Sequence, residues 1–351
     1  MKTGHIVTFG EMMLRLSPPG FERFRQTSSF SATFGGGEAN VAVSLANYGH
    51  DARFVSKFPT HEIGQMAVDA LRAKGVGVQY CVRGGDRVGI YFCETGASQR
   101  GGKVVYDRAG AAVTTLTADE LAGAVGGDLG AIFEGAAWFH WTGITPALGP
   151  TCRETLGALA KAAKAKGCAV SADLNYRKKL WTVDEARAVM RPLMEHVDVC
   201  IANEEDADKC LGMKAAHSDV EGGELDEAAY ADLACKLRDE FGFRTVAISL
   251  RESFSASRNG WSAMICDTGE CETPYRSRVY DVQLVDRVGG GDSFAAGLIH
   301  GLLTKGSSKD ALEFGVAASA LKQTIPGDLN LVSAEEVEKL AAGGGSGRVE
   351  R

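Results

Sequence analysis

The sequence predicts an α/β fold built on a mostly parallel central sheet with helices on both faces. Three observations carry that expectation. Strand-like apolar runs alternate with helix-like stripes along most of the 351 residues. Two glycine runs, Gly35-Gly36-Gly37 and Gly289-Gly290-Gly291, each stand where a helix should begin. Two further stretches break the alternation and read as short β segments and hairpins. Repeated βα units imply parallel strands covered by helices. Ligands in such sheets bind at the carboxyl ends of the strands.

The elements follow in order. His5–Phe9 is a buried first strand. The stretch 12–34 contains Pro18, Pro19 and Gly20, and 89–108 holds Tyr91-Phe92-Cys93 and Val104-Val105-Tyr106 about a polar, Gly-rich turn. Both read as hairpins, either extending the main sheet or standing apart from it. Val41, Leu45 and Tyr48 form a helical stripe that stops at Gly49. A helix over 153–166 leads into a strand over 168–174. A helix over 184–196 leads into a strand over 197–202, and 245–250 is another strand. Phe294, Leu298 and Leu302 mark one face of a helix, and a second helix spans 311–323. Residues 222–226 read as a surface loop and 341–351 as a flexible tail.

Composition bounds the function. Thirty-eight basic and 45 acidic residues give a net charge of −7, which argues against nucleic acid or an anionic membrane as partner. No run approaches the roughly 18 apolar residues of a membrane span, and residues 1–9 lack a signal-peptide core, so a cytoplasmic protein is expected. Nine scattered cysteines without a C-x-x-C suit a reducing compartment better than a disulfide framework or a zinc site.

The chemistry concentrates at 285–297, Val-Asp-Arg-Val-Gly-Gly-Gly-Asp-Ser-Phe-Ala-Ala-Gly. Glycines turn backbone N–H groups toward one point, and a helix N-terminus adds unsatisfied donors and partial positive charge. Gly289, Gly290 and Gly291 thus form a candidate anion hole for a phosphate or a transferring phosphoryl group. Asp292 beside it is either a helix N-cap or a base for an attacking hydroxyl. Gly35-Gly36-Gly37-Glu38-Ala39-Asn40 is a second glycine run entering a helix. It is not a P-loop, since no Gly-Lys-Ser/Thr follows, and taken alone it is a tight turn or a substrate floor. Asn203-Glu204-Glu205-Asp206 follows a strand; its carboxylates suit either Mg²⁺ held through water or a helix N-terminus. Tyr91, Tyr106, Arg108 and Arg177 supply hydroxyls and guanidinium forks of the kind that read a carboxylate. No G-x-G-x-x-G follows the first strand, which disfavours a dinucleotide-binding dehydrogenase.

The order Asp286, Gly289, Gly291, Asp292, Phe294 resembles the C-terminal signature of the PfkB (ribokinase-like) carbohydrate kinases, with Arg287 and Val288 where that family usually carries Thr. The earlier glycine run matches its N-terminal motif. Segments across nearly the whole chain, among them GEMMLRLSPPG (10–20), GGGEANVAVSLANYG (35–49), DLNYRKKLW (173–181) and VDRVGGGDSFAAGL (286–298), are similar to the branch that phosphorylates 2-keto-3-deoxygluconate. The resemblance implies a ribokinase-like three-layer sandwich, one kinase domain over 1–340, with lid segments within 12–34 and 88–108. It implies ATP and Mg²⁺ as cofactors, leaves a monovalent cation open, and implies homo-oligomers formed through the lid. By the same resemblance Gly36, Tyr91, Tyr106, Arg108, Arg177 and Asp292 contact the sugar acid, and Asn40 bonds its hydroxyls. Asp292 deprotonates the terminal hydroxyl, and Gly289, Gly290 and Gly291 receive the phosphoryl group. Asn203 and Arg251 lie on the ATP side, and Asp206 stands where the family's Asn-x-x-Glu pattern, which influences Mg²⁺, ends in Glu. Glu204 and Glu205 remain alternatives for that role. A kinase of fructose, ribose or a nucleoside, or a sugar-acid sensor without catalysis, is the competing reading.

Overall fold

The computed structural model describes residues 4–215, 227–269 and 273–344. The loop expected over 222–226 and the tail beyond 344 lie outside them; the last described helix runs to Ala341. No helix among the described residues is long and apolar enough to cross a membrane.

The main sheet has ten strands. From one edge its path runs Tyr275–Arg276, Arg258–Asp267, Thr245–Ser255, Val199–Ala202, Ala169–Asp173, Ala136–Thr142, His5–Phe9, Ala52–Phe58 and Gly77–Arg83, with Tyr280–Gln283 also pairing with Arg258–Asp267. Pairing is parallel from Thr245–Ser255 through Gly77–Arg83 and antiparallel beyond it. The expected strand over 245–250 runs on to Ser255, because along its whole length it pairs with Arg258–Asp267 in a hairpin. The chain leaves His5–Phe9 toward one edge and returns to its other side at Ala136–Thr142. That neighbouring pair is the point where strand order reverses, and ligands bind beyond the carboxyl ends of strands at such a point.

Side chains alternate across the strands and build two cores. Val7, Phe9, Phe139 and Trp141 face one layer, with Leu156 and Leu159 of the Pro150–Ala165 helix and Met190 of the Val183–Leu193 helix. Ile6, Phe54, Trp138 and Ile201 face the other, with Val41 and Leu45 of the Gly37–Asn47 helix and the expected stripe Phe294, Leu298 and Leu302. Helices thus cover both faces and complete the three layers.

The two irregular stretches form a separate sheet. Ser31–Gly35, Met13–Ser17, Ile90–Glu94 and Lys103–Asp107 lie side by side in that order. This four-stranded lid does not extend the main sheet. Arg15 and Tyr91 attach it to the body. Arg15 is buried and bridges Asp286 and Asp328 at 2.6 Å each, and Tyr91 donates its hydroxyl to Asp328.

Candidate active site

A cavity of about 540 Å³ opens between the lid and the carboxyl ends of the strands. Its wall includes Gly36, Asn40, Tyr91, Tyr106, Arg108, Arg177, Asn203, Asp206, Arg251, Gly289, Gly290, Gly291 and Asp292 from the sequence reading, and of the two alternative carboxylates it includes Glu205. Two sheets bring these distant segments together: Arg177 and Asn203 follow the carboxyl ends of Ala169–Asp173 and Val199–Ala202 in the main sheet, whereas Tyr91 and Tyr106 stand on strands of the lid and Gly36 follows one.

The Gly290–Thr304 helix begins at the floor of this cavity, with Gly289 as its N-cap at φ +81° and no side-chain cap. That left-handed backbone favours glycine. A β-carbon at 289 would also lie 2.0 Å from the Asp328 carbonyl oxygen. Asp292 is therefore the third residue of the helix, and the N-capping alternative does not hold. Its Oδ2 accepts a hydrogen bond from Asn40 Nδ2 at 2.7 Å. Burial pushes its carboxyl up to about 6, while the Asn40 bond pulls it down. At neutral pH the group is ionised yet basic enough to take a proton. Gly291 is exposed, and a β-carbon there would meet nothing within 4 Å.

The second glycine run lies against the first. Gly36 sits where a β-carbon would be 2.0 Å from the Glu11 carbonyl oxygen. Its N–H donates to Asn40 Oδ1 at 3.2 Å. The expectation had Asn40 reading sugar hydroxyls. In this structure one bond at each end of its amide is made within the protein, and the Nδ2 bond also orients Asp292. Below it, Glu38 is fully buried and accepts from the Thr142 N–H and from the hydroxyls of Thr142 and Thr145. Burial pushes that carboxyl up to about 7. These bonds tie the Gly37–Asn47 helix to the end of the Ala136–Thr142 strand.

The lid supplies one wall. Tyr106 is 40% exposed, stacks on Tyr91 with centroids 5.9 Å apart, and has the Arg108 guanidinium 5.3 Å from its ring centroid. Tyr91 is buried, and its hydroxyl is committed to Asp328. Arg108 is paired with Glu11, its Nε donating to Oε2 at 2.8 Å. Burial raises the Glu11 carboxyl while Arg108 lowers it, and Glu11 Oε1 has no partner. Arg108 thus reaches the cavity as one half of an ion pair.

Arg177 is exposed in the loop after Ala169–Asp173 and bonds the Tyr176 carbonyl at 2.9 Å. Its charge lowers three carboxyls that burial raises: Asp173, Asp206 and Asp292. Asp206 is buried, accepts the Tyr176 N–H at 3.0 Å, and is pushed up to about 7 by burial. Asn203 Oδ1 accepts the Asp206 N–H at 2.8 Å, so it caps the turn that carries Asp206. Glu205 is exposed on the cavity wall. These hard oxygens have the donor chemistry Mg²⁺ takes.

The remaining wall is cationic. Arg251 and Arg287 are exposed to the cavity, and neither forms an ion pair among the described residues. Burial lowers Arg251, and burial and then the charge of Arg251 lower Arg287. Two unpaired like charges facing one space suit a polyanion. Sequence reasoning passed over Arg287, Asp173, Asp328 and Lys322 as site residues. Arg287 carried a signal: it is a basic residue two positions before the glycine run.

Comparison with known proteins agrees with this geometry. Residues 3–334 match the pfkB family of carbohydrate kinases. The chain is 38% identical to a 2-dehydro-3-deoxygalactonokinase of Haloferax volcanii over 98% of this chain and 99% of that protein. It is 29% identical to a 2-dehydro-3-deoxygluconokinase of Bacillus subtilis, over 96% and 94%. The crystal structure of a 2-dehydro-3-deoxygluconokinase from Thermotoga maritima superposes with a TM-score of 0.90 at 49% identity, covering 97% of this chain and 99% of that one.

Proposed function

The chain belongs to the pfkB family of carbohydrate kinases, and from that premise we propose that it transfers the γ-phosphoryl group of ATP to the terminal hydroxyl of 2-keto-3-deoxygluconate (2-dehydro-3-deoxygluconate), giving the 6-phosphate. The observation that carries this reading is the placement of Asp292. It stands at the glycine-led start of a helix, between a lid wall bearing Tyr106 and Arg108 and a cationic wall bearing Arg251 and Arg287.

The roles follow from that placement. The sugar acid lies between the lid and Arg177, its carboxylate end met by Arg108 and Arg177 and its terminal hydroxyl beside Asp292. Asn40 holds the Asp292 carboxylate in place, and Asp292 takes the hydroxyl proton as the oxygen attacks phosphorus. The N–H groups of Gly289, Gly290 and Gly291 receive the charge on the transferring group. Arg251 and Arg287 hold the nucleotide phosphates, with Asn203 on the same side. Asp206 and Glu205 are the residues that would hold Mg²⁺, through water, and that ion when bound neutralises phosphate charge. The lid excludes water from the transfer. It also bears Phe21 and Val105 at 62% and 52% exposure, a surface suited to pairing with a second copy. A single kinase domain over 1–340 and a cytoplasmic location are part of the same reading.

The experiment is a coupled ADP-release assay with Mg-ATP on 2-keto-3-deoxygluconate, its galacto epimer, gluconate, fructose and ribose. Turnover confined to the keto-deoxy acids is expected, and the ratio between the two epimers assigns the preference. Turnover on a neutral sugar instead would replace the substrate and leave Asp292 in its role.

A further inference from the structure

Lys322, at the end of the Ser308–Lys322 helix, is fully buried, with no exposed surface. Its ammonium faces three backbone carbonyls: Gly327 at 2.6 Å, Asp286 at 3.0 Å and Ile325 at 3.4 Å. A protonated lysine has three N–H donors and no acceptor, so three acceptors match the charged form; a neutral amine has a hydrogen too few. The nearby carboxylates of Asp286 and Asp328 are paired with Arg15. A buried charge is costly unless its partners are well placed, and here the partners are two loops at the cavity floor.

Those loops frame the glycine run. Asp286 lies three residues before Gly289. Gly327 directly precedes Asp328, whose carbonyl oxygen crowds the α-carbon of Gly289; the Lys322 stem crowds it too, its Cε 3.3 Å from where a β-carbon would be. The same helix end grips the run at two more points. Ser319 Oγ donates to the Gly290 carbonyl at 2.7 Å, and the Gln323 carbonyl accepts the N–H groups of Val285 and Asp286. Residues 319, 322 and 323 share one helix face. All three act on the segment that aims the N–H groups of Gly289, Gly290 and Gly291.

We propose that Lys322 is a positioning residue whose ammonium serves as a built-in monovalent cation, clamping the 286–289 and 325–328 segments so that the glycine N–H groups converge on the transferring phosphoryl group. Converging backbone carbonyls are the donors a dissolved K⁺ takes in place of its water. In this chain a side chain fills that place, so turnover needs no added monovalent cation. The proposal rests on the reading of Gly289–Gly291 as the anion hole.

The test measures turnover of 2-keto-3-deoxygluconate with Mg-ATP in tetramethylammonium buffer, with K⁺, NH₄⁺ or methylammonium added at constant ionic strength. Wild type should be insensitive to the added cation. In Lys322→Ala, kcat should fall about tenfold to a hundredfold, the scale of a small misplacement of reacting groups, with KM for the sugar acid little changed. NH₄⁺, K⁺ or methylammonium should restore part of the loss, which a merely structural lysine would not allow. Activation of wild type by K⁺, or a folded variant that no cation rescues, would overturn the proposal. If the variant does not fold, the wild-type series still decides. If wild type turns over no sugar acid, the substrate reading fails separately, and the melting temperature of Lys322→Ala is the readout. A rise with NH₄⁺ or methylammonium, absent with tetramethylammonium, supports the cation cage, and no rise overturns it.

Discussion

Asn40 donates its side-chain amide to Asp292 across 2.7 Å, joining the starts of two helices 252 residues apart. The bond fixes one carboxylate oxygen and leaves the other for a substrate hydroxyl. Asp292→Asn keeps the shape and removes the base. Its kcat should fall at least about a hundredfold, the lower range for a positioned base, with the KM for sugar acid nearly unchanged. Steady-state kinetics in the ADP-release assay check this; near-wild-type turnover would remove Asp292 from its role.

The same carboxyl sets a pH dependence. Burial raises it to about 6 in the free enzyme, and the working form is ionised. Activity should therefore be complete well above 6 and fall as pH drops through that value, with one proton bound. A profile of kcat/KM against pH reports the free-enzyme group. An acid limb near 4 instead would contradict the burial of Asp292.

Arg108 and Glu11 form a pair that a sugar carboxylate has to share. Arg108→Ala should raise the KM for the sugar acid by at least about tenfold, the loss of one charge-assisted interaction. It also strands Glu11, which is 4% exposed, and should lower thermal stability. Adding Glu11→Gln should return stability without returning affinity. Melting curves and KM values on the two variants separate the effects.

Arg251 and Arg287 face the cavity without an ion pair among the described residues, although the charge of Glu205 acts on Arg251. Replacing both by Ala should raise the KM for ATP by about tenfold or more and leave that for the sugar acid in place. Equal effects on both substrates would move these arginines off the nucleotide side.

Much of this site is legible in the sequence because its key residues sit inside glycine runs at helix starts, a local signal. Asp292, Gly289 and Gly36 are of this kind, and the lid is visible as β segments that break the βα rhythm. Partnerships are not local. That Asn40 faces Asp292, that Tyr91 bonds Asp328, and that Arg108 is held by Glu11 all depend on which strand ends lie side by side. Lys322 is hidden for another reason. A lysine near a helix C-terminus reads as a solvated charge that complements the helix dipole, and only the packing of the 286–289 and 325–328 segments over it makes it interior.

The open space at Gly291 sets function against robustness. Gly289 and Gly36 are crowded by the protein's own backbone, whereas a methyl group at 291 has nothing to strike. Position 291 lies in the first turn of a helix, where alanine is favoured over glycine by less than the roughly 1 kcal/mol of a helix interior. Selection for heat resistance alone should accept Gly291→Ala, and a melting curve should register the gain. Selection for turnover should reject it if Gly291 lines the proposed anion hole, because the methyl group would then take space the phosphoryl group needs. On the proposed reading, the enzyme leaves stability unused at a point where an empty place is a working part.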